Sequence, residues 1–145
     1  MVIVNFLKVP KRTEIQGMLD FHPDRVSHAS CLDDAELELL KTLKIPVEIC
    51  LTSNIRTGTI SSIDIRHFVA DSHRDKHPMV PCTDDAGVFS TSISREYRIA
   101  ASAFGIKREE VYQLTSDAIR FILVDDGVKT ESRTTLVAFS KRNCL

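Results

Sequence analysis

The residues best placed to do chemistry form one short stretch, Met79-Val80-Pro81-Cys82-Thr83-Asp84-Asp85-Ala86-Gly87-Val88-Phe89. An apolar run ends in a hydroxyl and two adjacent carboxylates, followed by a glycine and an amphipathic segment from Thr91 to Phe104. A strand that delivers carboxylates at its C-terminal end, just before a helix, is where an α/β barrel places its reacting groups. Neighbouring strand residues point to opposite sides, so one carboxylate can face a metal and the other a substrate. The competing reading is that Asp84 and Asp85 merely cap the next helix and favour the turn.

The elements that must position this pair can be read in order along the chain. Met1 to Leu7 is an apolar run that fits a buried strand, broken by Pro10. Thr13 opens a short helix to Phe21, with Ile15, Met18 and Leu19 on one face. Arg25 to Ala29 reads as a second strand. Asp33 and Asp34 then start a helix with Leu37, Leu40 and Leu43 at helical spacing and Lys41 and Lys44 at its end. Pro46 to Leu51 is a third strand, Thr52 to Ser62 a polar loop, Ile63 to Ser72 a helix, and Met79 to Cys82 the fourth strand. Helices over Ser92–Phe104 and Arg108–Val124 complete the pattern. Alternating strands and helices predict parallel strands joined by crossovers. The strands end in Lys8, His28, Thr52-Ser53-Asn54 and Thr83-Asp84-Asp85, which converge on one rim and favour the chemical reading of the Asp pair.

Composition narrows the class. The chain has 145 residues, 43% apolar and 27% charged, with a net charge of -1. That is an ordinary domain composition, with no basic surface for nucleic acid and no run long enough to span a membrane. The four cysteines, Cys31, Cys50, Cys82 and Cys144, are widely spaced and follow no secretory signal. They are read as reduced thiols in a cytoplasmic protein, with Cys50 and Cys82 as core residues. His22, His67, His73 and His77 are read as surface or capping histidines; Pro78 argues against a helical metal pair at His73 and His77.

Ile45-Pro46-Val47-Glu48-Ile49-Cys50-Leu51-Thr52-Ser53-Asn54, Cys82 to Phe89, Ser94-Arg95-Glu96-Tyr97 and Phe21 to His28 together resemble the C-terminal half of adenosine deaminase-like proteins. The likeness is strongest to the branch that deaminates N6-methyl-AMP and covers roughly Val9 to Asp125. It implies a partial (β/α)8 TIM barrel, about the last four units, over residues 1–127, with an unmatched tail over 128–145. It also implies a zinc enzyme of purine nucleotide salvage. By motif, His28 would activate the attacking water, Asp84 would bind zinc, and Asp85 would orient the purine nucleotide or nucleoside. Zinc would bring the bound water toward neutral pKa for attack on C6.

The sequence also departs from the family pattern. No H-x-H occurs in it. Aligned back from Val9-Pro10, the third metal histidine falls on Asn5 and the proton-shuttling glutamate on Lys8. The glycine usual before the activating histidine is Ser27. With Asp84 as the one matched ligand, this chain by itself is not expected to hold zinc, whose catalytic sites take three protein ligands. Nor is it expected to turn over substrate. The alternative is a non-enzymatic remnant or interaction fragment, from a splice product or incomplete gene model. A four-stranded half barrel would expose two edges, Val2–Leu7 and Val80–Cys82, and is expected to self-associate through them.

Overall fold

The computed structural model describes residues 3–5, 12–30, 32–59, 75–122 and 124–143. Its strands are β1 (Ile3–Asn5), β2 (Arg25–Ser27), β3 (Val47–Ile49) and β4 (Met79–Pro81). Its helices are α1 (Arg12–Asp20), α2 (Asp34–Leu43), α3 (Leu51–Arg56), α4 (Ala86–Phe89), α5 (Ile93–Phe104), α6 (Arg108–Ala118) and α7 (Asp126–Asn143), with a 3₁₀ turn at Ile119–Phe121. All strand pairs are parallel, and the sheet order is β1-β2-β3-β4. Sequential order with a helix in each crossover belongs to a barrel segment; a doubly wound sheet reverses direction at a switch point.

The register separates the two faces of the sheet. Val26 pairs with Val47 and Val47 with Met79, and these residues join Ile49 in one core cluster with Ile15 and Leu19 of α1 and Leu40 of α2. The opposite face carries Arg25, Ser27, Glu48 and Val80, because Ser27 pairs with Glu48 and Glu48 with Val80. Here Arg25 Nη2 lies 2.7 Å from Glu48 Oε1, and the Ser27 hydroxyl donates to the same carboxylate. Arg25 Nη1 donates to the Phe121 carbonyl at 2.6 Å, which brings the end of α6 over the polar face.

Local signals explain most element ends. Asp33 Oδ1 accepts the Glu36 N–H and the Glu36 carboxylate accepts the Asp33 N–H, a reciprocal cap that starts α2. Gly105, at φ 65°, closes α5 in the left-handed region. Three expectations need correction. Residues 52–56, read as loop, are helical in α3. The helix expected over Arg108–Val124 stops at Ala118 and tightens into the 3₁₀ turn. His77, read as a surface or capping residue, is buried and donates from Nε2 to the Ile45 carbonyl at 2.8 Å. Residues 128–143 form most of α7. Lys8, His67, His73, Cys31, Cys144 and the segment Ile63–Ser72 lie outside the described residues.

Candidate active site

Beyond β2 and β4 the backbone makes a sharp turn that presents side chains on one rim. After β2, His28 and Ala29 both take left-handed conformations, φ 68° and 50°. Non-glycine residues seldom do so, and clusters of them mark places where surrounding structure dictates the turn. Ser27, where the family pattern has glycine, is ordinary strand, and its hydroxyl is used by Glu48. The turn itself falls on the two residues after it. Beyond β4, Asp84 is likewise left-handed, at φ 56°.

These turns bring His28 and Asp84 together over α3. His28 Nε2 stands 3.8 Å from Asp84 Oδ2. His28 Nδ1 makes a 2.8 Å hydrogen bond with Asn54 Oδ1, and the Ser53 hydroxyl donates to Asp84 Oδ2 at 2.7 Å. Asn54 is 1% exposed and its amide nitrogen has no partner among the described residues. With the amide oxygen toward the ring, only a ring N–H can complete the Asn54 bond, so the hydrogen sits on Nδ1. In the neutral ring, Nε2 then carries the lone pair, on the side that faces Asp84.

The two aspartates make different contacts. Asp85 caps α4, its Oδ1 accepting the Val88 N–H at 2.8 Å. Asp84 makes no cap and turns toward His28 and Ser53. Asp85 is exposed beside the rim and keeps its second carboxylate oxygen for another donor. Thr52, Ser53 and Asn54 were read in the sequence as the polar end of the third strand and the start of a loop. All three are buried, and two of them hold the site.

Cys50 and Cys82 meet just below the rim, where the Cys82 N–H donates to the Ile49 carbonyl at 2.8 Å. A hydrogen bond between the two thiols holds Cys82 below the ordinary thiol range, at about 6, and pushes Cys50 up. A cleft of about 610 Å³ lies elsewhere, between the start of β4, α6 and the 3₁₀ turn, lined by residues including His77, Leu114 and Phe121. It opens at the end of the sheet opposite the rim and touches none of the groups above.

At the rim the described residues bring one imidazole, that of His28, against the Asp84 carboxylate, and among them no group of three or more His, Cys, Asp or Glu side chains could hold a metal. That donor set does not fit a catalytic zinc, which takes three protein ligands.

A parallel strand–helix sheet with a histidine and a carboxylate converging at its C-terminal rim defines a (β/α)-barrel protein of the kind that works at that end. The adenosine deaminase family model matches residues 13–138, past the Gly127 limit of the sequence resemblance, and the chain belongs to that family. It is 51% identical over 126 residues to the N6-mAMP deaminase of Arabidopsis thaliana, covering 87% of this chain and 35% of that protein. It is 36% identical over 129 residues to the human N6-methyl-AMP deaminase, covering 85% and 36%. The crystal structure of Arabidopsis ADAL complexed with IMP superposes with a TM-score of 0.92 at 45% identity, over 97% of this chain and 41% of that one. The chain thus spans about a third of the length of the curated relatives it matches, and its fold is a partial barrel of parallel strands with outer helices. Among the described residues no helix is long and apolar enough to cross a membrane.

Proposed function

We propose that this chain carries the water-activating and purine-facing rim of an N6-methyl-AMP deaminase, which replaces the methylamino group at purine C6 with oxygen. The observation that carries the reading is the joint anchoring of His28 by Asn54 and of Asp84 by Ser53, two consecutive residues of α3. Nε2 of His28 is the proton acceptor for a water approaching C6, and the Asn54 contact keeps that nitrogen free for it. The Asp84 carboxylate opposite Nε2 favours the ring once it has taken the proton. Asp85 accepts a hydrogen bond from the purine edge and fixes its orientation. Zinc is the metal implied by the family likeness, and Asp84 is its proposed ligand. The remaining ligands are not among the described residues, and no step above depends on them.

The 145-residue polypeptide by itself is proposed to be inactive and to self-associate through the open edges of β1 and β4, each of which has one neighbour in the described sheet. Residues 1–127 are proposed to act as the barrel portion. The test joins a family N-terminal half, ending in its own H-x-G-E, to Val9. The joined protein is expected to bind zinc and form inosine monophosphate and methylamine from N6-methyl-AMP, whereas the 145-residue chain does neither and sediments as an oligomer. A joined protein that folds and binds zinc but releases no methylamine contradicts the proposed activity. A monodisperse monomer of the short chain contradicts the proposed association.

A further inference from the structure

Glu96 on α5 is 1% exposed. Its carboxylate collects three donors. Oε2 accepts the Thr52 backbone N–H at 3.1 Å, and Oε1 accepts the Thr91 hydroxyl at 2.5 Å and the Thr52 hydroxyl in a closer contact. A carboxylate this deep is costly unless such bonds repay its lost hydration. The donors come from two places, the first turn of α3 and the loop that leads into α5.

The first turn of α3 is where the site is held. The helix is only six residues long, and Cys50 at its N-cap makes no side-chain capping bond. So short a helix has little stability of its own, and one of its first free N–H groups is taken by Glu96. Thr52 is followed directly by Ser53, which binds Asp84, and then by Asn54, which binds His28. One buried carboxylate therefore fixes the segment that orients both rim groups.

We infer that Glu96 is a positioning residue: through Thr52 it sets α3 so that Asn54 holds the His28 ring and Ser53 holds the Asp84 carboxylate. The chemistry this serves is the deaminase reading above, but the positioning can be read from the histidine alone. The test uses the ¹⁵N-labelled 145-residue chain at alkaline pH, where imidazoles are neutral, with the His28 ring signals assigned by their loss in His28→Gln.

The wild-type ring is expected to show its hydrogen on Nδ1 and a bare Nε2. Thr52→Val removes the hydroxyl while nearly keeping the shape, and Glu96→Gln removes the charge. Both are expected to move the two ring signals toward the average of the two tautomers, and Thr52→Ser to restore the wild-type pattern. Leu40→Ala, a cavity in the distant core, is expected to lower stability and leave the His28 pattern alone. Should Glu96→Gln not fold, Thr52→Val and its serine rescue decide the matter. An unchanged ring in Thr52→Val, or an equal change in Leu40→Ala, overturns the inference. So does a wild-type ring that is already averaged. Loss of deamination in the joined protein, with these spectra as expected, refutes the deaminase reading and leaves the positioning role standing.

Discussion

The two faces of the sheet are built on opposite principles. On one, Val26, Val47, Ile49 and Met79 pack against Ile15, Leu19 and Leu40, and their contribution is area removed from water. On the other, Arg25, Glu48 and Ser27 are joined by an ion pair and hydrogen bonds across adjacent strands. Both faces are largely shielded from solvent. The difference is in tolerance: an apolar contact degrades by degrees as atoms are removed, whereas a buried charge pair fails when either member is lost. The polar face also runs directly up to His28, so the strand that carries Arg25 and Ser27 delivers the site histidine at its end.

This contrast predicts its own largest effect. Glu48→Ala strands the Arg25 guanidinium, whose Nε already lacks a partner among the described residues. It is expected to cost about 3–5 kcal/mol. Replacing both members, Arg25→Met with Glu48→Met, is expected to recover most of that loss. Leu40→Ala on the apolar face should cost about 2–5 kcal/mol, set by the cavity it leaves. Urea melts of the three variants check the pattern. A double variant as unstable as Glu48→Ala would mean that packing, not charge, governs the polar face.

A smaller effect comes from His77, at the start of β4. Burial lowers its pKa from the ordinary 6.5, with Lys41 pushing the same way and the Ile45 carbonyl and Asp75 opposing. The unfolded chain therefore binds this proton more readily than the folded one. The stability present above pH 6.5 is lost as the pH falls through that value toward the lower folded pKa. His77→Gln keeps a donor for the Ile45 carbonyl and does not titrate. Its urea midpoint is expected to vary less with acidification than the wild type's; equal slopes would assign the acid sensitivity to other groups.

What could be read from the sequence follows from how local its causes are. Asp33 and Glu36 announce α2 within four residues, and Leu37, Leu40 and Leu43 give its buried side, so that helix was plain. The sites of β3 and β4 were legible as apolar runs that end in polar residues, and β2 was placed at Arg25 to Ala29. Thr52-Ser53-Asn54 misled because hydroxyl and amide side chains favour turns when their partners are local. Here the partners are Glu96, Asp84 and His28, separated by 44, 31 and 26 residues. His77 was misread for the same reason, since its partner is a backbone carbonyl 32 residues away. The end of α6 could not be seen because the apolar stripe continues to Ile122 while Arg25 captures the carbonyl of Phe121. For the Asp pair, the sequence offered capping and chemistry as rivals. Asp85 caps α4, and the left-handed turn at Asp84 takes that carboxylate out of the cap and toward His28 and Ser53.

The central claim is that the two aspartates do different work at one rim, and the protein joined at Val9 to a family N-terminal half tests it most directly. Zinc content and methylamine release from N6-methyl-AMP are measured for Asp84→Ala and Asp85→Ala side by side. Asp84→Ala is expected to lose both metal and turnover; Asp85→Ala is expected to keep the metal and lose turnover. Full zinc and undiminished methylamine release in both variants would contradict the assignment.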